Sequence, residues 1–146
     1  MTNMKNPLNL FFLGLVFTLT SFAGTAQGDI IGKWQTVDDN TGEVKSVVEI
    51  YEENGKLYGA IRELFRGSDE DPDPMCVSCK GDKKDQRITG LVIVEDMTKD
   101  GSEYSGGTIT DPENGKEYKC KMWLENGDLK VRGYWGFLYR TQTWHK

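Results

Sequence analysis

The chain has 146 residues, of which 23 are acidic and 18 are basic, so its formal net charge at pH 7 is −5. This length suits one domain. An acidic chain is a poor candidate for binding nucleic acid or anionic lipid, because it carries the same sign of charge as both.

The first 26 residues have the composition of a secretory signal peptide. Lys5 is their only charged residue, segment 8–22 is almost wholly apolar, and small residues lead up to Ala26. This order predicts cleavage after Ala26 and a mature domain 27–146. A membrane anchor is the less favoured alternative, since the apolar run is shorter than the roughly 20 residues that a span needs. We therefore expect an exported protein, periplasmic or extracellular, with no transmembrane segment after cleavage.

Strand-like segments follow one another along the rest of the chain. They alternate apolar and polar residues, as in segment 116–124, which is typical of strands with one buried and one wet face. The dipeptide Asn-Gly recurs between them and is typical of tight hairpins, because both residues accept a positive φ. The predicted strands are 30–37, 43–52, 56–65, 88–97, 104–110, 116–124, 128–135 and 137–145.

About eight strands without a convincing amphipathic helix predict an all-β fold. Consecutive hairpins favour a single up-and-down antiparallel β-barrel, and about eight strands suffice to close the sheet and remove its edges. A barrel of this size is either filled by side chains or holds one small ligand. The predicted inner face carries Val48, Ile50, Ile61, Tyr118, Cys120, Met122, Leu124, Val131 and Trp135.

A long acidic loop, 66–87, interrupts the succession of strands. Its carboxylates at Asp69, Asp71 and Asp73 are of the type that calcium prefers, but the spacing of an EF-hand is absent. We therefore expect a solvated, mobile loop and no metal site.

Three cysteines leave the disulfide pairing open. In an oxidising compartment two pairings are open. Either Cys76 forms a disulfide with Cys79, three residues away, or one of these two cysteines forms a disulfide with Cys120. Cys120 lies on the apolar face of a strand, which favours a buried thiol. A zinc site built from these cysteines and His145 is a weaker alternative.

Catalytic motifs are not evident in the sequence. His145 is the only histidine, and neither a nucleophile elbow nor a phosphate-binding glycine loop is present. We expect a protein without enzymatic activity and without a cofactor.

The segment Gly32-Lys33-Trp34 resembles the Gly-x-Trp signature that opens lipocalin barrels, and Arg140 resembles the arginine that packs over that tryptophan. Together with this opening, several further segments resemble domain-of-unknown-function family 2147, secreted bacterial proteins assigned a lipocalin-like fold. Those segments are 55–61, 88–91, 106–118, 129–134 and 140–144. The resemblance implies fold, export and a Trp34–Arg140 contact that closes the barrel, but no activity. Some members carry cysteine where this chain has Tyr58 and Tyr134, so their disulfides do not transfer.

Two functions fit this fold. The favoured one is binding of a small, mainly apolar ligand inside the barrel. The expected ligand-binding residues are Val48, Ile50, Ile61, Tyr118, Met122, Val131 and Trp135. The alternative is an interaction or structural protein with a filled barrel, which would act through its loops and exposed aromatic residues such as Trp123.

Overall fold

The structure is a computed structural model that describes residues 29–146, and the predicted signal peptide 1–26 lies outside this range. Eight strands and one turn of 3-10 helix, Gly81–Lys83, make up its regular structure. The strands are β1 (Gly32–Val37), β2 (Val44–Glu53), β3 (Lys56–Leu64), β4 (Val92–Asp100), β5 (Glu103–Thr110), β6 (Glu117–Glu125), β7 (Asp128–Trp135) and β8 (Leu138–Trp144). In the described range, no helix is long and apolar enough to span a bilayer.

Each strand pairs antiparallel with the next in the order β1 to β8. The sheet then closes on itself through one bridge between β1 and the residue that follows β8. Gln35 donates its backbone N–H to the carbonyl of His145 at 2.7 Å, and His145 donates back at 2.9 Å. The prediction of an up-and-down antiparallel barrel of eight strands is thus confirmed.

Two of the Asn-Gly dipeptides form the hairpins that their chemistry predicts. Asn54 and Asn126 have φ of 51° and 53°, and each is followed by a glycine that also has positive φ. These are two-residue turns whose twist matches that of the flanking strands. The third, at 114–115, belongs to a longer turn in which Asp111 accepts a hydrogen bond from the Glu113 N–H at 2.9 Å.

Strand β4 begins four residues later than the sequence pattern indicates. The predicted strand began at Ile88, but segment 88–91 is a turn that returns the chain to β3. Ile61 donates its backbone N–H to Leu91 at 3.0 Å and accepts one from Gly90 at 2.7 Å. Ile88 and Leu91 are buried, so their apolar character reflects packing of the turn against the barrel.

The middle of the barrel is tightly packed. Side chains without exposed surface fill this part: Val48, Ile50, Val94, Met97, Met122 and Leu129. At Gly59, a Cβ atom would lie only 2.9 Å from Ile50 Cδ1 and 3.0 Å from Val94 Cβ, so a methyl group there would force its neighbours to shift.

The predicted contact between Trp34 and Arg140 is wrong. The cation over the Trp34 ring is the ammonium of Lys146, 4.0 Å from the ring centroid. Arg140 instead binds Asp39, donating its Nε to a carboxylate oxygen at 2.9 Å. The reason is register: the Gln35–His145 bridge sets Lys146 opposite Trp34 and carries Arg140 toward the other end of the barrel.

The loop 66–87 differs from the expected solvated loop in its second half. Cys76 and Cys79 form a disulfide and are both buried, whereas Cys120 is a free buried thiol. Cys76 donates its backbone N–H to Gln86 at 2.8 Å, which ties the loop to itself. A Cβ at Gly115 would lie 1.8 Å from the Ser78 carbonyl, so the loop packs directly on the β5–β6 turn.

Candidate functional site

Two cavities occupy opposite ends of the barrel. The larger has a volume of about 770 Å³ and the smaller about 420 Å³. On β2, for example, the larger cavity is lined by Ser46 and the smaller by Glu52, with Val48 and Ile50 buried between them. The same division holds on β3 to β6, so the packed middle separates the two cavities.

Aliphatic and aromatic residues make up half of the wall of the larger cavity. Its volume falls in the range of roughly 300–1,000 Å³ in which a pocket holds one small molecule. The apolar lining residues are Val37, Ile61, Leu64, Phe65, Ile88, Ile93, Ile109, Pro112, Tyr118, Val131, Trp135, Leu138, Tyr139 and Trp144. Such a wall favours an apolar ligand, because contact with it removes apolar surface of both partners from water.

Uncharged polar groups interrupt this apolar wall. The hydroxyls of Thr36 and Ser46 lie 2.7 Å apart and bond each other. Gln142 accepts a hydrogen bond from the indole of Trp144 at 3.2 Å. Thr110 is buried, and within residues 29–146 its Oγ1 has no hydrogen-bond partner. This oxygen has almost no accessible surface, so it does not face the cavity.

Charged side chains surround the mouth of the larger cavity, and acidic ones outnumber basic ones. Five carboxylates, Asp38, Asp39, Glu70, Asp111 and Glu113, face three cations, Lys45, Arg66 and Arg140. Each cation is already paired: Lys45 with Glu113 at 2.5 Å, Arg66 with Glu70 at 3.8 Å, and Arg140 with Asp39. Hydrogen bonds from the backbone N–H groups of Asn40 and Thr41 lower the pKa of Asp38, so this carboxylate is ionised at neutral pH.

The barrel has its fewest paired residues where β1 meets β8. These strands are paired at the Gln35–His145 bridge and separate beyond it. Val37 and Gln142 line the cavity from the two sides of this gap. The Arg140–Asp39 ion pair spans the gap from β8 to the β1–β2 turn, which holds the two strands near each other at the mouth.

Four of the seven residues predicted to bind a ligand line the larger cavity: Ile61, Tyr118, Val131 and Trp135. The other three, Val48, Ile50 and Met122, face inward but lie in the packed middle and line neither cavity. Trp135 has the expected orientation along β7, but it is the last residue of that strand and is 72% exposed. It therefore lies at the mouth and not inside.

Several lining residues were not predicted from the sequence, among them Ile109, Thr110 and Trp144. Alternation along 104–110 did not reveal Ile109, because an irregularity between Tyr104 and Gly107 shifts which residues of β5 face inward. Trp123, expected to be exposed, is half-buried with the Arg132 guanidinium 4.8 Å above its ring.

The smaller cavity is shaped by the segment before β1. Ile30 is buried there beside Leu57 and Met97, and Asp29, Glu52 and Lys99 lie at its edge. Tyr104 completes the wall, and burial raises its pKa. This cavity has less apolar depth than the larger one, so it is the weaker candidate for a ligand site.

The remaining reactive groups lie outside both cavities. Cys120 is buried, and burial raises the pKa of its thiol to about 12, so the nucleophilic thiolate is scarce at neutral pH. Cys76 and Cys79 are bonded to each other in a disulfide, so they do not form the zinc site with Cys120 and His145 that was the weaker alternative. His145 lies with Nδ1 2.9 Å from a carboxylate oxygen of Asp128. Residues 29–146 contain no cluster of three or more side chains suited to a metal ion.

Comparison with known proteins agrees with this architecture. The solved structure of protein HP1028 from the human pathogen Helicobacter pylori, described as belonging to the lipocalin family, superimposes with a TM-score of 0.67. The match covers 81% of this chain and 82% of that chain at 23% sequence identity, which supports the lipocalin-like fold. No curated protein sequence matches the chain significantly.

A family model matches residues 32–146, which include all eight strands. The family is described as an uncharacterized protein conserved in bacteria. On this match the chain belongs to the bacterial family DUF2147.

Proposed function

We propose that this protein is an exported binding protein that holds one small, mainly apolar molecule in the larger cavity of its barrel. The observation that carries the proposal is the cavity itself, about 770 Å³ in volume and lined by a continuous set of aliphatic and aromatic side chains beside its polar residues. Its size and lining are those of a site for a single small ligand. The lipocalin-like fold adds support, since barrels of eight strands can enclose one such molecule.

Export is supported by the N-terminal composition and by cysteine chemistry. Segment 1–26 has the composition of a signal peptide, and the Cys76–Cys79 disulfide is of the kind that persists in oxidising compartments. Expression of the full chain in a bacterial host, followed by N-terminal sequencing of the exported protein, tests this part. We expect the mature chain to begin at Gln27; retention of the full-length chain in the cytoplasm would contradict export.

Ligand binding is tested by filling the cavity. Ile109 lines the larger cavity, whereas its neighbour Thr108 does not, so Ile109→Trp and Thr108→Trp place the same side chain on opposite faces of β5. Calorimetric titration with a series of medium-chain aliphatic compounds should show saturable binding to the unmodified protein and to Thr108→Trp. Ile109→Trp should lose it while remaining folded.

Native mass spectrometry of protein purified from its own host is the complementary measurement, since a co-purifying molecule would identify the ligand directly. Equal binding by both variants would place the ligand elsewhere, and saturable binding by neither variant nor the unmodified protein would overturn the proposal.

The alternative, an interaction protein with a filled barrel, has less support because the larger cavity argues against its premise. One observation still favours contact with a partner. The β7–β8 hairpin exposes Trp135, Phe137, Leu138 and Tyr139 in near succession, with Phe137 92% exposed. If the titrations detect no ligand, this hairpin is the surface to examine next.

A further inference from the structure

We propose that the β7–β8 hairpin docks this protein on the surface of a zwitterionic phospholipid bilayer, with the mouth of the larger cavity toward the lipid. The feature that carries this inference is the hairpin tip, whose side chains Trp135, Phe137, Leu138 and Tyr139 are exposed beside the mouth. The inference goes beyond the proposed function, because docking does not require an occupied cavity.

Exposed apolar side chains are concentrated at the end of the barrel that holds the larger cavity. Phe137 is 92% exposed, and the other three side chains of the hairpin tip are more than half exposed. Phe65, also half exposed, lines the same cavity. Among the residues that line the smaller cavity, the exposed large apolar side chain is Ile31. Apolar surface of this kind on a monomer marks a site of contact.

The backbone of the hairpin tip is held by its strands. Trp135 pairs with Leu138 across the turn, so Gly136 and Phe137 form a two-residue turn, and Gly136 has φ of 60°. Turns of this length follow the twist of the strands that they join. The ring of Phe137 is thus presented to solvent on an ordered backbone, and little conformational entropy is lost when it enters an apolar medium.

The size of the hairpin tip argues against a stable interface with another protein. At their exposed fractions the four side chains present roughly 400–700 Å², since a large aromatic side chain offers about 150–250 Å². A stable pair of proteins buries about 800 Å² on each partner. A bilayer sets no such requirement, because aromatic and aliphatic side chains enter its interface in proportion to their apolar area.

The charges beside the hairpin tip select the type of lipid. The Lys116 ammonium lies 5.9 Å from the centre of the Trp135 ring, and the Arg132 guanidinium lies 4.4 Å from that of Tyr139. Cations next to rings at a bilayer interface are placed to bond lipid phosphates. The mouth adds five carboxylates and only three cations, each already paired.

A zwitterionic surface suits both sets of charges, because it offers phosphates to the cations and ammonium groups to the carboxylates. An anionic surface lacks the ammonium groups and repels the surplus carboxylates. A second copy docked mouth to mouth would bring carboxylates against carboxylates, so the charges also disfavour self-association.

Flotation of the purified protein with vesicles of phosphatidylcholine tests the docking. We expect saturable binding and a blue shift of the tryptophan emission. The shift should come from Trp135, because Trp34 and Trp144 are buried and Trp123 is half-buried. Trp135→Phe should therefore still float with the vesicles and lose the blue shift.

Two further variants localise the contact. Phe137→Ser removes the most exposed apolar side chain and should weaken vesicle binding at least about tenfold. Phe137 does not line the larger cavity, so this variant should bind aliphatic compounds as the unmodified protein does. Ile31→Ser is the matched control: it makes the same kind of change at the other end of the barrel and should leave vesicle binding unchanged.

The lipid charge is tested with vesicles of phosphatidylglycerol. At low ionic strength these should bind at least about threefold more weakly than phosphatidylcholine, because the chain carries a net charge of −5. Tighter binding to phosphatidylglycerol would show docking driven by charge and would overturn the inference.

The remaining outcomes are equally decisive. The inference fails if the protein does not float with phosphatidylcholine vesicles, or if Phe137→Ser floats as well as the unmodified protein. If sedimentation velocity shows an oligomer that Phe137→Ser dissociates, the hairpin tip contacts a second copy and the inference is wrong. Since vesicle binding needs no small ligand, a failed ligand titration overturns the proposed function alone.

Discussion

The two ends of the barrel are built on the same eight strands and are stabilised in different ways. From the middle toward the β2–β3 end, large side chains without exposed surface fill most of the interior, among them Met97, Met122 and Leu129, and leave the smaller cavity of about 420 Å³. At the other end the interior is a cavity of about 770 Å³. That end is reinforced from outside, where the disulfide segment of loop 66–87 packs on the β5–β6 turn.

This difference shows how a small barrel can keep a cavity and still fold. Packing in one half supplies apolar burial, while the half that holds the cavity gives up part of that burial. The external loop, its disulfide and the ion pairs of the mouth restrain the strands there without occupying the interior. We expect mutations to reveal the two mechanisms separately.

The largest effect should come from removing core side chains in the packed half. Leu129→Ala removes a fully buried side chain and should lower the free energy of unfolding by about 2–5 kcal/mol. Leu64→Ala makes the same change at the wall of the larger cavity, where Leu64 is half-buried, and should cost only about 1 kcal/mol. Urea denaturation measures both. An equal loss in the free energy of unfolding for the two variants would contradict the division into a packed and an open half.

The external reinforcement is tested at a glycine. Gly115 has φ of +71°, and a Cβ there would meet the Ser78 carbonyl at 1.8 Å. Gly115→Ala should therefore displace the loop and cost about 2 kcal/mol or more. Gly127 has φ of +85° with nothing within 4 Å, so Gly127→Ala reports backbone strain alone, about 1 kcal/mol.

Denaturation and limited proteolysis of the loop in the two glycine variants provide the readout. Faster cleavage within 66–87 should occur in Gly115→Ala and not in Gly127→Ala. If both variants lose the same stability and are cleaved at the same rate, the loop does not reinforce the open end.

Cys120 lies on β6 between Tyr118, which lines the larger cavity, and Met122, which is in the packed middle. Burial raises its pKa from 9.0 to about 12, so above pH 9 the unfolded chain releases this proton and the folded chain keeps it. Below pH 9 this thiol leaves the free energy of unfolding independent of pH. As the pH rises from 9 toward 12, the free energy of unfolding falls by about 1.4 kcal/mol per pH unit.

Comparing the unmodified protein with Cys120→Ala isolates this effect from other groups that titrate in the same range. The stability difference between the two should change with pH above 9 and be constant below it. A thiol reagent should label Cys120 only on unfolding; rapid labelling of the folded protein would show that the open end admits solvent as far as Cys120.

The smallest effect on stability should come from the ion pair at the mouth. The side chain of Arg140 is 68% exposed, so its pair with Asp39 is well solvated. Arg140→Ala should cost less than about 1 kcal/mol. Thermal denaturation measures this loss of stability. The control is Lys130→Ala, which removes the ion pair between Lys130 and Glu125 on the side of the barrel. A larger loss would mean that the seam between β1 and β8 depends on this pair.

Sequence alone predicted much of the fold and less of the site. Alternation and Asn-Gly turns depend on neighbouring residues, so strands and hairpins could be read directly. Alternation also identifies which side chains face inward, and Val48 and Val131 both do. It does not give their depth along the barrel axis, which depends on register between strands. This is why Val48 lies in the packed middle and Val131 at the cavity.

Contacts between distant segments were the least predictable. The composition of loop 66–87 shows that it is acidic. Its packing against the β5–β6 turn depends on Gly115, which is distant in sequence. Arg140 was assigned to Trp34 by resemblance, whereas a single bridge at His145 sets the register and brings Lys146 there instead.

That same bridge has a consequence for the order of events during folding. Because β1 pairs with the chain beyond β8, the barrel cannot close until its final strand has been synthesised. Until then every growing chain exposes unpaired strand edges, which are the features that chaperones and other chains recognise. Folding that ends in a contact of such high sequence separation is expected to be slow and to follow translation. The closed barrel is therefore a property of the complete series of strands and of no shorter N-terminal part of it.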